Sequence, residues 1–146
     1  MISKLLASLR SENEIYERIL SIAEDQLSAL DRSDVEGFMS LMSERAELID
    51  RLSQIDEDIK DLKASWNKLR SKLPSELSER VVSLIKDQEK LINSILSLDR
   101  RAEDRLMKMM SVLRKTGAGL TDIARAGEAY IKGEIRSNSR FLDKRG

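Results

Sequence analysis

An all-α fold is predicted for this chain: a long antiparallel helical hairpin with a shorter N-terminal helix, together a three-helix, coiled-coil-like bundle, followed by a loosely helical C-terminal tail. Three observations predict it. Apolar residues recur at spacings of three, four and seven along most of the chain, which places them on one side of a helix. About half of the residues are Ala, Glu, Lys, Leu or Arg, the composition of long helices and coiled coils. Pro74 is the only proline. It lacks an N–H and clashes with the preceding turn, so the chain must kink or reverse there.

The first helix is expected over about residues 2–30, from Ile2, Leu5, Leu9, Tyr16, Ile19, Ala23, Leu27 and Leu30. Glu12, Glu14, Glu17 and Arg18 are read as solvent-facing. Asp31, Arg32 and Ser33 make the break, and Ser33 with Glu36 has capping-box spacing, in which each side chain reaches the other residue's backbone N–H. A second helix over about 34–73 follows, with Val35, Phe38, Met42, Ile49, Leu52, Ile59, Leu62, Trp66, Leu69 and Leu73 on one side. The alternative is one continuous helix through Ser33. After Pro74, Ser75, Glu76 and Glu79 suit a helix start, since carboxylates favour the positive end of the helix dipole. Leu77, Val81, Leu84, Leu91, Ile95, Leu98, Ala102, Leu106, Met109 and Leu113 carry the third helix over about 75–115. Helices of about 40 residues are ~60 Å long.

The domain plan is therefore a bundle over 1–115 and a distinct segment over 116–146. That segment holds five of the six glycines, Gly117, Gly119, Gly127, Gly133 and Gly146. Each interior glycine costs a helix roughly 1 kcal/mol relative to alanine. Leu120, Ile123, Ala124, Tyr130, Ile131 and Ile135 keep a weak helical rhythm, so the segment is read as flexible or partly helical when free and able to order on a partner. A fourth helix docked on the bundle is the alternative.

Composition excludes most chemistry. The chain has no cysteine and no histidine, removing disulfides, thiolate metal sites and the commonest general base. Carboxylate pairs such as Asp56 with Glu57 and Glu103 with Asp104 are adjacent and point apart on a helix. Gly117-Ala118-Gly119 lacks the strand and spacing of a phosphate loop. No catalytic, metal or cofactor site is expected, and the chain reads as a binding protein. Net charge is zero with 36% charged residues, which gives no global attraction to nucleic acid. From Arg100 onward there are 12 basic and 6 acidic side chains, a balance able to steer an acidic partner or simply to solvate a helix face. Met1 to Leu9 runs straight into charged residues and does not read as a signal peptide, and no apolar run is long enough to span a bilayer. A cytoplasmic protein without stable membrane insertion is expected.

Folding the hairpin at Pro74 sets Met42 near Leu106, Met39 near Met109 and Phe38 near Met110, with Met107 close by. Five of the six methionines thus gather at the end far from Pro74. Methionine fills gaps in cores and also re-packs around variable apolar partners, and both readings stand. At the other end, the short first helix is expected to reach only to about Leu62, leaving Trp66, Leu69, Leu73, Leu77 and Val81 as a bare two-helix tip. Exposed apolar patches mark interaction sites, so a partner, the tail or a second copy forming a homodimer is expected to cover it. Trp66 itself fits the inward rhythm and is read as packing.

Two stretches carry a family resemblance. Gln26, Leu27, Ala29, Leu30, Asp31, Asp34 and Val35, then Glu44, Arg45 and Leu48, resemble a leucine-rich helix, an acidic break and a second helix rich in Glu, Arg and Leu. Ala129 and Tyr130, followed by Ser139, Arg140, Phe141, Leu142, Asp143, Lys144 and Arg145, are similar to a tyrosine after a glycine-rich stretch and a hydrophobic-Asp-basic close. Together they resemble the FlgN-like flagellar type III export chaperones. The resemblance implies a cytoplasmic chaperone that binds the C-terminal helical region of hook–filament junction proteins. It implies that the chaperone prevents their premature self-association and delivers them to the export gate. By position, Tyr130 matches the family's gate-docking tyrosine, and Phe141 and Leu142 match the apolar part of its ending. The partner-binding residues expected are then Met39, Met42, Met107, Met109 and Met110, with Leu120 and Ile123 closing over a cargo helix, and Tyr130, Phe141 and Leu142. Two other readings stand beside this one: a structural coiled-coil or adaptor protein acting by self-association through the Trp66 tip, and a chaperone for another flagellar cargo. A third, a membrane-surface or nucleic-acid binder working through the basic tail, is disfavoured because Arg136, Arg140, Lys144 and Arg145 against Asp143 leave too small a local charge.

Overall fold

A computed structural model describes residues 2–116; the expected tail, from Gly117 onward, lies outside the described residues. The described chain is an all-helical bundle of α1 (Ile2–Asp31), α2 (Val35–Asp58), α3 (Lys60–Ala64), α4 (Trp66–Arg70) and α5 (Ser75–Thr116).

The α1–α2 junction is tighter than a capping box. Ser33 adopts a left-handed backbone, φ 57°. Its N–H bonds Leu30 O at 3.0 Å, and Asp34 N–H bonds Ala29 O at 2.8 Å, which is the Schellman closure of a helix end. Asp34 then opens α2, its carboxylate accepting from Gly37 N–H at 2.9 Å. Asp34, not Ser33, is thus the N-cap. A Cβ on Gly37 would fall 2.2 Å from that carboxylate, so the cap and the glycine belong together.

The run expected as one helix over 34–73 is kinked at Ile59 and Ser65. Backbone bonds from Lys63 N–H to Ile59 O (2.9 Å) and from Leu69 N–H to Ser65 O (3.0 Å) carry across both, so these are bends rather than loops. Asp56, Glu57 and Asp58 end α2 with no basic residue in its last turn, and carboxylates oppose the negative end of a helix dipole. Burial supplies the pull, because Ile59 is fully buried against Leu5, Leu6, Leu9 and Val81. The chain reverses at residues 71–74. There Ser78 Oγ donates to Arg70 O at 3.1 Å, and Pro74 O accepts from Leu77 N–H and Ser78 N–H to start α5.

The hub of the bundle is α1, whose backbone lies close to both α5 and α2. It runs parallel to α5, since Asn13 donates to Leu84 O and Asp31 pairs with Arg105. It runs antiparallel to α2, with Arg18 paired to Glu44 and Glu12 to Lys63. This overturns the bare tip. Glu12 already stands opposite Lys63, so the ten residues before it extend α1 to the reversal. Val81 is fully buried, and Trp66 and Leu77 are half-buried against the Leu5–Leu6–Leu9 cluster.

Three apolar clusters follow one another along the rod. Leu5, Leu6, Leu9, Ile59 and Val81 lie at the Pro74 end. Tyr16, Ile19, Ile22, Leu48, Ile49, Leu52, Ile92 and Ile95 fill the middle. Ala29, Leu30, Phe38, Ala102 and Leu106 close the far end. Buried polar groups separate them, and they include Glu12, read as solvent-facing but 0% exposed. Between the first two clusters, Gln88 Nε2 donates to Asn13 Oδ1 (3.0 Å) and Glu12 Oε1 (3.5 Å), while Lys63 pairs with Glu12 and Asp56. Between the second and third, Arg45 makes a two-pronged ion pair with Asp99 (2.8 and 2.6 Å) and donates to Gln26 Oε1 (3.1 Å). A buried polar group needs such partners to offset the loss of water.

Candidate functional site at the methionine end

The far cluster divides the methionines. Phe38 and Leu106 are buried at its centre, and Met42 and Met109 pack against it half-buried. Met39 and Met107 remain exposed, at 41% and 53%, and Val112 at 59%. Met110 is half-buried. Met42 and Met109 thus pack against the core, while Met39 and Met107 stay on the surface.

Helix length creates this surface. Asp31 ends α1 opposite Arg105, yet α5 continues to Thr116, an overhang of ~16 Å at 1.5 Å per residue. No third helix covers that stretch among the described residues. It is also basic: Arg105, Lys108, Arg114 and Lys115 occur over residues 105–116 with no acidic residue, and Arg105 is paired to Asp31. Apolar side chains between cations suit a helix with an apolar stripe and acidic flanks. Methionine allows that surface to re-pack around different stripes.

Leu120, Ile123, Tyr130, Phe141 and Leu142 lie outside the described residues. Val112 was missed because the methionines alone were singled out at this end, although Val112 keeps the seven-residue spacing of Leu77, Leu84, Leu91 and Leu98. Among the described residues, no group of three or more acidic side chains is placed to hold a metal ion, and no helix is long and apolar enough to cross a membrane.

A sequence model of one protein family, described as FlgN protein, matches residues 1–144. The chain belongs to the FlgN family. FlgN proteins are flagellar export chaperones, a binding family, and the described residues of this chain form an all-α bundle. No curated protein and no solved structure matches the chain. Gln26 and Arg45, two residues that carried the resemblance to FlgN, meet in the buried ion-pair layer with Asp99. In this FlgN chain, that layer is the floor on which the methionine cluster rests.

Proposed function

We propose that this FlgN-family chain is a cytoplasmic chaperone of hook–filament junction proteins. It binds their C-terminal helical region, keeps them from premature self-association and delivers them to the type III export gate. The cargo helix lays its apolar stripe on Met39, Met107 and Val112, with Met42, Met109 and Met110 as the yielding layer beneath. Residues 116–146 form the second half of the site: Leu120 and Ile123 close over the cargo, Tyr130 docks at the gate, and Phe141 and Leu142 add apolar partner contacts. Ordering such a segment costs on the order of 1–2 kcal/mol per residue fixed. That cost tempers affinity and suits a chaperone that must release what it carries.

The observation that carries this reading is the exposed apolar overhang of α5, at the point where the chain passes into residues 117–146. It is tested with the full chain and a form ending at Lys115, each titrated with a purified hook–filament junction protein. The full chain is expected to bind and the shortened form to lose binding while keeping its helical circular dichroism. Undiminished binding by the shortened form would place the site elsewhere on the bundle, and no binding by either form would remove this cargo class.

A further inference from the structure

The kinked end of the bundle carries charge that packing does not explain. Between Leu62 and Ser75 there are four basic side chains, Lys63, Lys68, Arg70 and Lys72, and no acidic one. Lys63 is engaged by Asp56 and Glu12. Lys68, Arg70 and Lys72 are exposed and make no ion pair among the described residues. They alternate with Trp66, Leu69 and Leu73, all half-buried. The neighbouring acids are Asp61, Glu76 and Glu79, and Glu76 is paired with Arg80 at 3.3 Å. The tip is therefore net basic and partly apolar, and it lies where the rod ends and the chain reverses.

We propose that this tip is a peripheral docking element for an anionic lipid surface. Charge complementarity selects the occupant. Cations within a Debye length of an anionic bilayer are attracted to it, long Lys and Arg side chains reach headgroups while their stems lie on apolar surface, and tryptophan settles at the headgroup level. Such a surface can be met by a small convex tip. A stable protein interface instead needs about 800 Å² from each partner. The concavity behind the tip, about 210 Å³ and lined by Leu5, Leu9, Trp66, Val81 and Ile85, also bears one cation, Lys63, and one anion, Glu89. It therefore does not select an acidic peptide. The docking is superficial and does not require any helix to enter the bilayer.

Trp66 is the only tryptophan of the chain, so its emission reports on this tip alone. The full chain is mixed at low salt with vesicles of phosphatidylcholine and phosphatidylglycerol in equal parts, and separately with phosphatidylcholine alone. A blue shift of Trp66 with co-sedimentation is expected for the anionic vesicles only, and both should vanish at high salt. Each cation near such a surface contributes about fivefold. Lys68→Gln, Arg70→Gln and Lys72→Gln together should therefore weaken partitioning on the order of 100-fold, with circular dichroism unchanged because all three are exposed. Lys90→Gln, Arg100→Gln and Arg101→Gln, an equal loss of charge on the exposed side of α5, should leave the shift in place. Three results would overturn the proposal: sedimentation without a Trp66 shift, equal partitioning by the tip variant, or a shift produced by a soluble Glu/Leu amphipathic peptide but not by anionic vesicles.

Discussion

Ser33 shows how much one backbone angle settles. Its left-handed conformation ends α1, and the next residue, Asp34, caps α2, so a two-residue hinge turns the chain through a reversal. A non-glycine residue pays roughly 1–2 kcal/mol of strain in that region, whereas glycine adopts it freely but loses more freedom on folding, about 0.5–1 kcal/mol. Ser33→Gly is thus expected to raise stability by about 0.5 kcal/mol, read as a higher urea midpoint at unchanged slope. The break at 31–33 was legible from its residue types. Which residue caps was not, because Ser33 and Asp34 are both good N-cap residues and only the geometry of the closure chooses between them.

At the scale of the element, α5 changes from buried to exposed along one helix. Up to Leu106 its stripe is buried against α1 and α2; beyond it, Met107 and Val112 face outward. Substitutions on either side of that boundary should separate folding from binding. Phe38→Ala, at the centre of the last covered cluster, is expected to cost about 3–5 kcal/mol in urea unfolding. Met107→Ser should change stability by less than ~0.5 kcal/mol while weakening cargo binding in a calorimetric titration. The methionine end was legible in sequence because hairpin pairing brings those residues together. The division within it was not, since heptad spacing says which side a residue lies on and not where the neighbouring helices stop. Likewise the kinks of α2 into α3 and α4 were hidden inside an unbroken apolar rhythm. Their one outward sign was the acidic run at Asp56, Glu57 and Asp58.

Across the whole molecule, the Arg45–Asp99–Gln26 layer ties α2, α5 and α1 together at one height. Removing one partner of a buried ion pair leaves the other uncompensated. Arg45→Met alone is therefore expected to cost about 3–5 kcal/mol, by analogy with other buried pairs. Replacing all three, Gln26→Leu with Arg45→Met and Asp99→Leu, should bring stability back to the parental value or above it, measured by the same urea unfolding. Recovery would show that the layer specifies which helices meet at which height rather than adding net stability. The sign of this layer in the sequence was a gap. Glu12, Gln26, Arg45, Gln88 and Asp99 each occupy a place in the three-four stripe where an apolar residue was due.

The sequence by itself determined the helices, the reversal at Pro74, the absence of thiol and imidazole chemistry, and the family, because periodicity, proline and composition act locally and survive without a structure. Tertiary structure alone decided that α1 is the hub of the bundle and that its N-terminal turns cover Val81. It also decided that six polar side chains are buried in layers between the apolar clusters and that Met39 and Met107 are left outside while Met42 and Met109 are not. Those outcomes depend on the relative heights of three helices. Height is set by how side chains from distant parts of the chain interlock, and that information is not local to any stretch of residues.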